Sequence, residues 1–329
     1  MSMLKKLAIG LASVVVLFFA AGFFLPRTAH VERSAVINAP PAMVFTVLNG
    51  FRQFNQWSPW SDIDPQAKTA FEGPATGVGA KMSWSGNASV GTGSQEILES
   101  KPHEFLKLRL TFGDFPGEFA ATYALAPEGA GTRVTWGYDA DYRSSALGRW
   151  FGLFSERMLG PDYEKGLARL KKLLESMPKG DFAALEIEAV DTQDEPIVFL
   201  SIHTADEPRA IGLGVGVAYS RLSGVLAQRK VKQTGAPVAI FRSRDGNTLQ
   251  IDAAVPVNEL GAALLTDVQT GHLPAGRALK AVYRGSYLGL PAARQQVLAY
   301  LATAGLTRDG PSWERYVSDS LTELYYPIK

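Results

Sequence analysis

Hydrophobic positions follow three different regimes along this chain. Residues 7–25 read LAIGLASVVVLFFAAGFFL, apolar and free of charge. As a helix such a run is about 30 Å long, enough to cross a hydrocarbon core, and it is read as a transmembrane anchor. A cleaved signal peptide is the alternative. Against it, the run exceeds a usual signal core, and Ala20, Ala21 and Gly22 lead into Phe23, Phe24 and Leu25 instead of a small-x-small cleavage site. Lys5, Lys6 and the amino terminus precede the run and Arg27 follows it, so the positive-inside rule expects a cytoplasmic N-terminus. The expectation is a single-pass inner-membrane protein whose domains, from Pro26 onward, are periplasmic or otherwise extracytoplasmic.

From residue 30 the period shortens to that of strands. Residues 30–37 read as a strand, and Pro40 and Pro41 open a short helix holding Val44, Phe45, Val47 and Leu48. A helical turn over 51–57 follows. The runs KMSWSG, GTGSQEILES, EFLKLRLTF, GEFAATYALA and TRVTWGYDA, each bounded by glycine or proline, predict an antiparallel meander. Residues 144–177 are helical in pattern, with Leu147, Trp150, Phe151, Phe154 and Met158 on one face and Leu167, Leu170, Leu174 and Met177 beyond. Gly160 and Pro161 predict a bend or break between the two halves. ESMPKGDF, 175–182, ends the pattern with Pro178 and Gly180. The expected domains are 1–27, cytoplasmic tip and anchor; 28–178; and 183–329.

The third regime is a diverged repeat. PIVFLSIHT, a helical stretch, GAPVAIFRS and LQIDAAVPV correspond to RALKAVYRGSY, a helical stretch, GPSWERYVS and TELYYPI. Each half reads strand, helix, strand, strand, and each ends on a strand with Pro256 or Pro327 before its last apolar residue. Two sheets paired about a pseudo-twofold, with a groove at the join, are expected. The fold class is α+β throughout: a transmembrane helix, an antiparallel sheet gripping a long helix, then the duplicated unit.

Composition narrows the chemistry. The 329 residues hold 33 Lys plus Arg against 32 Asp plus Glu, and no basic stripe lies beyond the extreme N-terminus, so a nucleic-acid partner is not expected. With no cysteine, thiolate nucleophiles, disulfides and cysteine zinc sites are excluded. His30, His103, His203 and His272 are scattered without zinc spacing, and Gly212, Gly214 and Gly216 in GLGVG have the wrong third glycine for a dinucleotide loop. No metal and no cofactor are expected.

ERSAVINAPPAMVFTVL (32–48), Trp57 with Trp60, FEGPATGVGAKMSW (71–84), GTRVTW (131–136) and DYEKGLARLKKLLE (162–175) resemble the START-like polyketide cyclase and lipid-transfer superfamily, SRPBCC. IDAAVPV, LPAGRALKAVYRGSY, the helix 290–302 and GPSWERYVSD resemble the bacterial GyrI-like, or transcription-activator effector-binding, domains. The resemblances imply a helix-grip hollow and a second ligand groove. In the GyrI-like family a strand glutamate projects into an aromatic pocket and meets cationic or polar ligands, and Glu314 matches it. Glu314 belongs to one half only, since its repeat counterpart is Ala239, while Tyr316 matches Phe241. Strand alternation sets Glu314 and Tyr316 on one face and Trp313 and Arg315 on the other. Beside them Tyr219, Phe241, Tyr283 and Tyr287 are the expected aromatic lining.

Trp57, Trp60, Trp84, Phe112, Trp136 and Tyr138 are the expected lining of the first hollow. Each of these aromatics has an alternative as core packing, and Glu314 has one as an arginine-paired strand residue. The expected activity is that of a membrane-anchored binder of small hydrophobic or amphipathic, including cationic, molecules. The alternatives are a hydrolase or cyclase using Glu314 as general acid or base, and a ligand-responsive protein that contacts another membrane component.

Overall fold

The computed structural model describes residues 3–258 and 267–329, without the side chains of residues 3–6 and 8. Lys5 and Lys6, which carry the expected orientation, lie outside the described side chains. The chain folds as two compact units, Met1–Lys179 with Thr303–Gly305, and Gly180–Ala302 with Leu306–Lys329.

In the first unit α1 (Met3–Gly22) is exposed along its described apolar side chains except at its end, where Gly22 is buried against α4. Its described apolar part, Ile9–Gly22, is shorter than a full bilayer crossing. Among the described residues seven strands form one antiparallel sheet, ordered β1-β7-β6-β5-β4-β3-β2. They are β1 (Thr28–Ile37), β2 (Lys68–Glu72), β3 (Lys81–Ser85), β4 (Thr92–Lys101), β5 (Phe105–Phe112), β6 (Glu118–Glu128) and β7 (Gly131–Asp141). Two short helices, α2 (Pro41–Leu48) and α3 (Phe54–Trp57), follow β1. Pro41 occupies the first turn of α2, where its missing N–H costs nothing, and the helix buries Met43, Val44, Val47 and Leu48.

The long helix α4 (Ala146–Ser176) starts at a serine cap, Ser145 Oγ accepting from Gly148 N at 3.0 Å. It runs unbroken through Pro161, so the expected break is absent. Tertiary bonds bridge the proline turn. Arg33 on β1 reaches Glu156 on one side at 2.6 Å and Glu164 on the other at 2.7 Å. A side chain at Gly160 would meet that guanidinium and displace it. Only the second half of α4 buries its apolar face, through Tyr163, Leu167, Leu170 and Leu174. Leu147, Phe151, Phe154 and Met158 in the first half stay exposed, while Trp150 stacks on Phe18 of α1 at 4.9 Å.

In the second unit the expected pair of sheets is one continuous antiparallel sheet, ordered β12-β9-β11-β10-β14-β15-β13-β8. Its first half is β9 (Glu195–Ala205), α5 (Pro208–Arg229), β10 (Val238–Asp245) and β11 (Thr248–Pro256). The second is β13 (Gly276–Arg284), α6 (Leu290–Thr303), β14 (Ser312–Ser318) and β15 (Leu321–Pro327). Two edge strands not read from the sequence, β8 (Glu186–Thr192) and β12 (Gln269–Leu273), complete it. The order is palindromic about the β10–β14 pair. On that axis Ala239 lies directly opposite Glu314, the residue it corresponds to in the repeat. Backbone pairing there leaves no edge for a groove, so the hollow lies over the sheet and between the helices. The helix α5 is long and apolar enough to cross a membrane by composition. Here one face of it packs on the sheet, burying Ile211, Val215 and Leu222, while Leu213 and Val217 stay exposed.

Candidate functional site

Among the described residues each unit encloses a hollow, and the two differ in kind. The first lies between α4 and the concave face of the seven-stranded sheet, with a volume of about 850 Å³. Strand alternation turns Met82, Trp84, Leu110, Phe112, Phe119 and Tyr138 into it, and Trp60 closes one end. The Trp60 indole N–H donates to Asp162 on α4 at 3.1 Å, which fixes that ring. Burial raises the pKa of Tyr138, and that of Tyr163 well above its ordinary value, so both remain neutral hydroxyls in the wall. Polar side chains, Asn55, Ser61, Asp64 and Asp162 among them, also line it, and a further one is deeply buried. Gln95 is 5% exposed, and its Nε2 has no hydrogen-bond partner among the described residues.

Trp60, Trp84, Phe112 and Tyr138 thus line the hollow, whereas Trp57 and Trp136 do not. Both of the latter are 2% exposed and form a layer behind the wall. Trp136 stacks on Tyr163 with centroids 3.9 Å apart, and Trp57 meets its edge at 5.4 Å. Gly166 on α4 makes this packing possible, since a Cβ there would lie 2.6 Å from the Trp136 ring. These two tryptophans are therefore core packing.

The second hollow, about 280 Å³, sits between the opening turns of α5 and α6. Ile211, Val215 and Tyr219 come from α5, Leu290 and Arg294 from α6, and Tyr316 from β14. Tyr287 also lines it, while Phe241 and Tyr283 pack beside it in the two helix-side cores. Glu314 is 3% exposed and does not stand free. Its Oε1 accepts from Arg294 Nε at 2.5 Å, and its Oε2 accepts from Arg294 Nη2 at 2.9 Å and from the Tyr316 hydroxyl at 3.0 Å. The Arg294 guanidinium also lies over the Phe241 ring, 4.6 Å from its centroid. Burial works against the arginine's charge, but the hydrogen bonds and field of Glu314 outweigh it and hold its pKa above the ordinary value. Burial first, and the Glu314 charge second, push Tyr219 and Tyr316 well up.

A carboxylate aimed at a ligand cation was the expectation. The carboxylate is instead already neutralised by a forked arginine, and it is Arg294 that lines the hollow. Arg294 was missed in the sequence although a signal existed. It stands three residues after Pro291 on α6, where α5 has Ile211 three residues after Pro208. Base and acid are therefore lopsided together.

Residues 28–175 match the family model described as polyketide cyclase / dehydrase and lipid transport, and residues 185–329 match that of the GyrI-like small molecule binding domain. The chain is a fusion of these two domain families. Three solved structures each cover a little under half of the chain. A protein of Chromobacterium violaceum is 21% identical, covers 45% of this chain and 97% of its own, and has a TM-score of 0.34. The C-terminal domain of EcmrR is 13% identical and covers 44% and 98%, with a TM-score of 0.36. Norcoclaurine synthase of Thalictrum flavum is 14% identical and covers 45% and 94%, with a TM-score of 0.35. No curated protein matches the chain by sequence. The large aromatic hollow belongs to the polyketide-cyclase-type domain, and the buried ion pair to the GyrI-like domain.

Proposed function

We propose that the protein is a membrane-tethered binder of small hydrophobic or amphipathic molecules, anchored in the inner membrane by α1 with both domains outside the cytoplasm. The observation that carries the binding role is the aromatic-walled hollow of about 850 Å³ in the polyketide-cyclase-type domain. A cavity of that size whose walls are mainly apolar gains its affinity from apolar surface removed from water. The anchor is supported by the uncharged run 7–25 and by the way α1 ends against α4. There Trp150 Nε1 donates to Phe18 O at 3.0 Å and Arg149 Nη1 to Phe23 O at 2.7 Å. With α1 in a bilayer, the exposed Leu147, Phe151 and Phe154 sit near its surface, and Phe151 and Met158 form part of the cavity rim.

The enzyme reading is weaker. A general acid or base must exchange a proton, and Glu314 is fully engaged by Arg294 and Tyr316.

The test uses the full chain in lipid nanodiscs and a library of apolar and amphipathic compounds in thermal unfolding. Stabilisation by a subset is expected, and no stabilisation by any compound overturns the binding role. Alkaline extraction of membranes checks the anchor separately. Retention in the pellet is expected, and release overturns tethering.

A further inference from the structure

Within the hollow of the GyrI-like domain the charged side chain is Arg294, while the acid that also lines it, Asp319, stands at the exposed rim. On the pseudo-twofold, Ala239 faces Glu314, and Ile211 holds the place on α5 that Arg294 holds on α6. One half of the duplication thus keeps an apolar pair where the other has an ion pair. The fork consumes Nε and Nη2 of Arg294, and Nη1 makes no hydrogen bond among the described residues. Guanidinium has five donors and no acceptor, so the side chain that lines this hollow can only donate. Glu314 lies behind it, off the wall.

We propose that this second hollow binds a compact apolar or aromatic molecule bearing a carboxylate or carbonyl oxygen, which Arg294 Nη1 holds, and that Glu314 is a positioning residue for Arg294. The proposal rests on the reading of this hollow as a ligand site and names its ligand class. Glu314 and Tyr316 fix the guanidinium from behind, and Phe241 supports its face, so the donor is oriented before the ligand arrives. A cationic ligand would have to displace Arg294 from a bidentate, buried pair and would meet its charge on the way. The volume of about 280 Å³ admits a bicyclic aromatic with one polar substituent.

The test is calorimetric titration of the full chain in nanodiscs with 2-naphthoate, 2-naphthylmethylammonium and 2-methylnaphthalene, against empty nanodiscs. Naphthoate is expected to bind about tenfold or more tighter than the ammonium probe, the size of one charge-assisted hydrogen bond. Arg294→Met with Glu314→Gln, which neutralises both members and leaves no orphan charge, is expected to abolish that preference while methylnaphthalene binding persists. Glu314→Gln alone is expected to keep the preference for naphthoate, because Arg294 remains, but to weaken naphthoate binding severalfold, because the guanidinium loses its forked partner; unchanged naphthoate affinity overturns the positioning role. Equal or tighter binding of the ammonium probe by the wild type, lost in Glu314→Gln, overturns the proposal and restores the acid as the ligand's partner. An anion preference unchanged in the double variant overturns it too, since the preference then arises elsewhere. If none of the probes distinguishes wild type from double variant and methylnaphthalene also fails to bind, the ligand-site reading itself falls.

Discussion

The two hollows differ in what their polar groups do. In the polyketide-cyclase-type domain about 850 Å³ of space is walled by rings, with one orphan amide, Gln95 Nε2. In the GyrI-like domain about 280 Å³ is bounded in part by Arg294, which is backed by Glu314 with both carboxylate oxygens engaged. Apolar contact is nondirectional, so the first hollow selects by volume and shape. A forked guanidinium has fixed donor directions, so the second selects by oxygen position. The cost of error also differs, because losing a wall ring removes area whereas losing half of an ion pair strands a charge.

The hardest test of this contrast separates wall from support in the first domain. Trp136→Ala removes a ring that is 2% exposed and is expected to cost about 3–5 kcal/mol in unfolding free energy. Trp84→Ala, on the wall, is expected to cost much less stability but to abolish binding of apolar ligands. Equal destabilisation by the two substitutions would erase the distinction between core and lining. Next in size is Glu314→Ala, expected to cost about 3 kcal/mol because Arg294 is left buried without its partner. Glu314→Leu combined with Arg294→Met is expected to recover most of that loss. Failure to recover would mean the pair is held by more than its own charge balance.

A smaller effect appears in alkali. Burial, with the Glu314 charge second, raises the Tyr326 hydroxyl to about 12, and Tyr219 and Tyr316 are raised by the same two causes. Unfolded tyrosine ionises near pH 10, so above that pH the unfolded chain sheds protons that the folded one keeps. Stability is therefore full below pH 10 and falls toward pH 12, by about 1 kcal/mol per pH unit for each tyrosine. Glu314→Gln is expected to lower these folded pKa values and shrink the alkaline loss in the GyrI-like domain. Tyr123, Tyr138 and Tyr163 in the other domain are raised primarily by burial and should titrate as before. Tyrosinate absorbance against pH reads both groups, and a shift in both would deny that the Glu314 field is local.

Periodicity made the elements legible: the meander, the long helix and the strand-helix-strand-strand repeat all follow from local spacing. What it could not supply was anything decided by a distant partner. The continuity of α4 through Pro161 is accompanied by a bridge from Arg33, more than a hundred residues away, to Glu156 and Glu164 on either side of the proline. Trp57 and Trp60 share a three-residue interval, yet one supports the cavity and the other lines it, because a short 3-10 turn at Pro59–Asp62 reorients the chain between them. Glu314 was legible as lopsided, but its neutralisation was not, since Arg294 and Glu314 meet only when α6 packs over β14. The small edge strands β8 and β12 have no strong pattern of their own and form by pairing with β13 and β9.

The smallest predicted effect bears on whether the first hollow is as indifferent to polar groups as its walls suggest. Gln95 lies on β4 between Met82 of β3 and Leu110 of β5, so its amide is carried into the hollow by strand alternation and not by a loop. An amide buried without a partner loses its hydration and gains nothing in return, a cost of about 1 kcal/mol or more. Gln95→Leu is nearly equal in volume and removes that cost. Stability is therefore expected to rise by about 1 kcal/mol in denaturant unfolding, with tighter binding of pure hydrocarbons. Ligands that place an oxygen against Nε2 should instead bind more weakly in the variant. A fall in stability would mean that the amide serves the folded protein itself, and the first hollow would then resemble the second in holding a structural polar group.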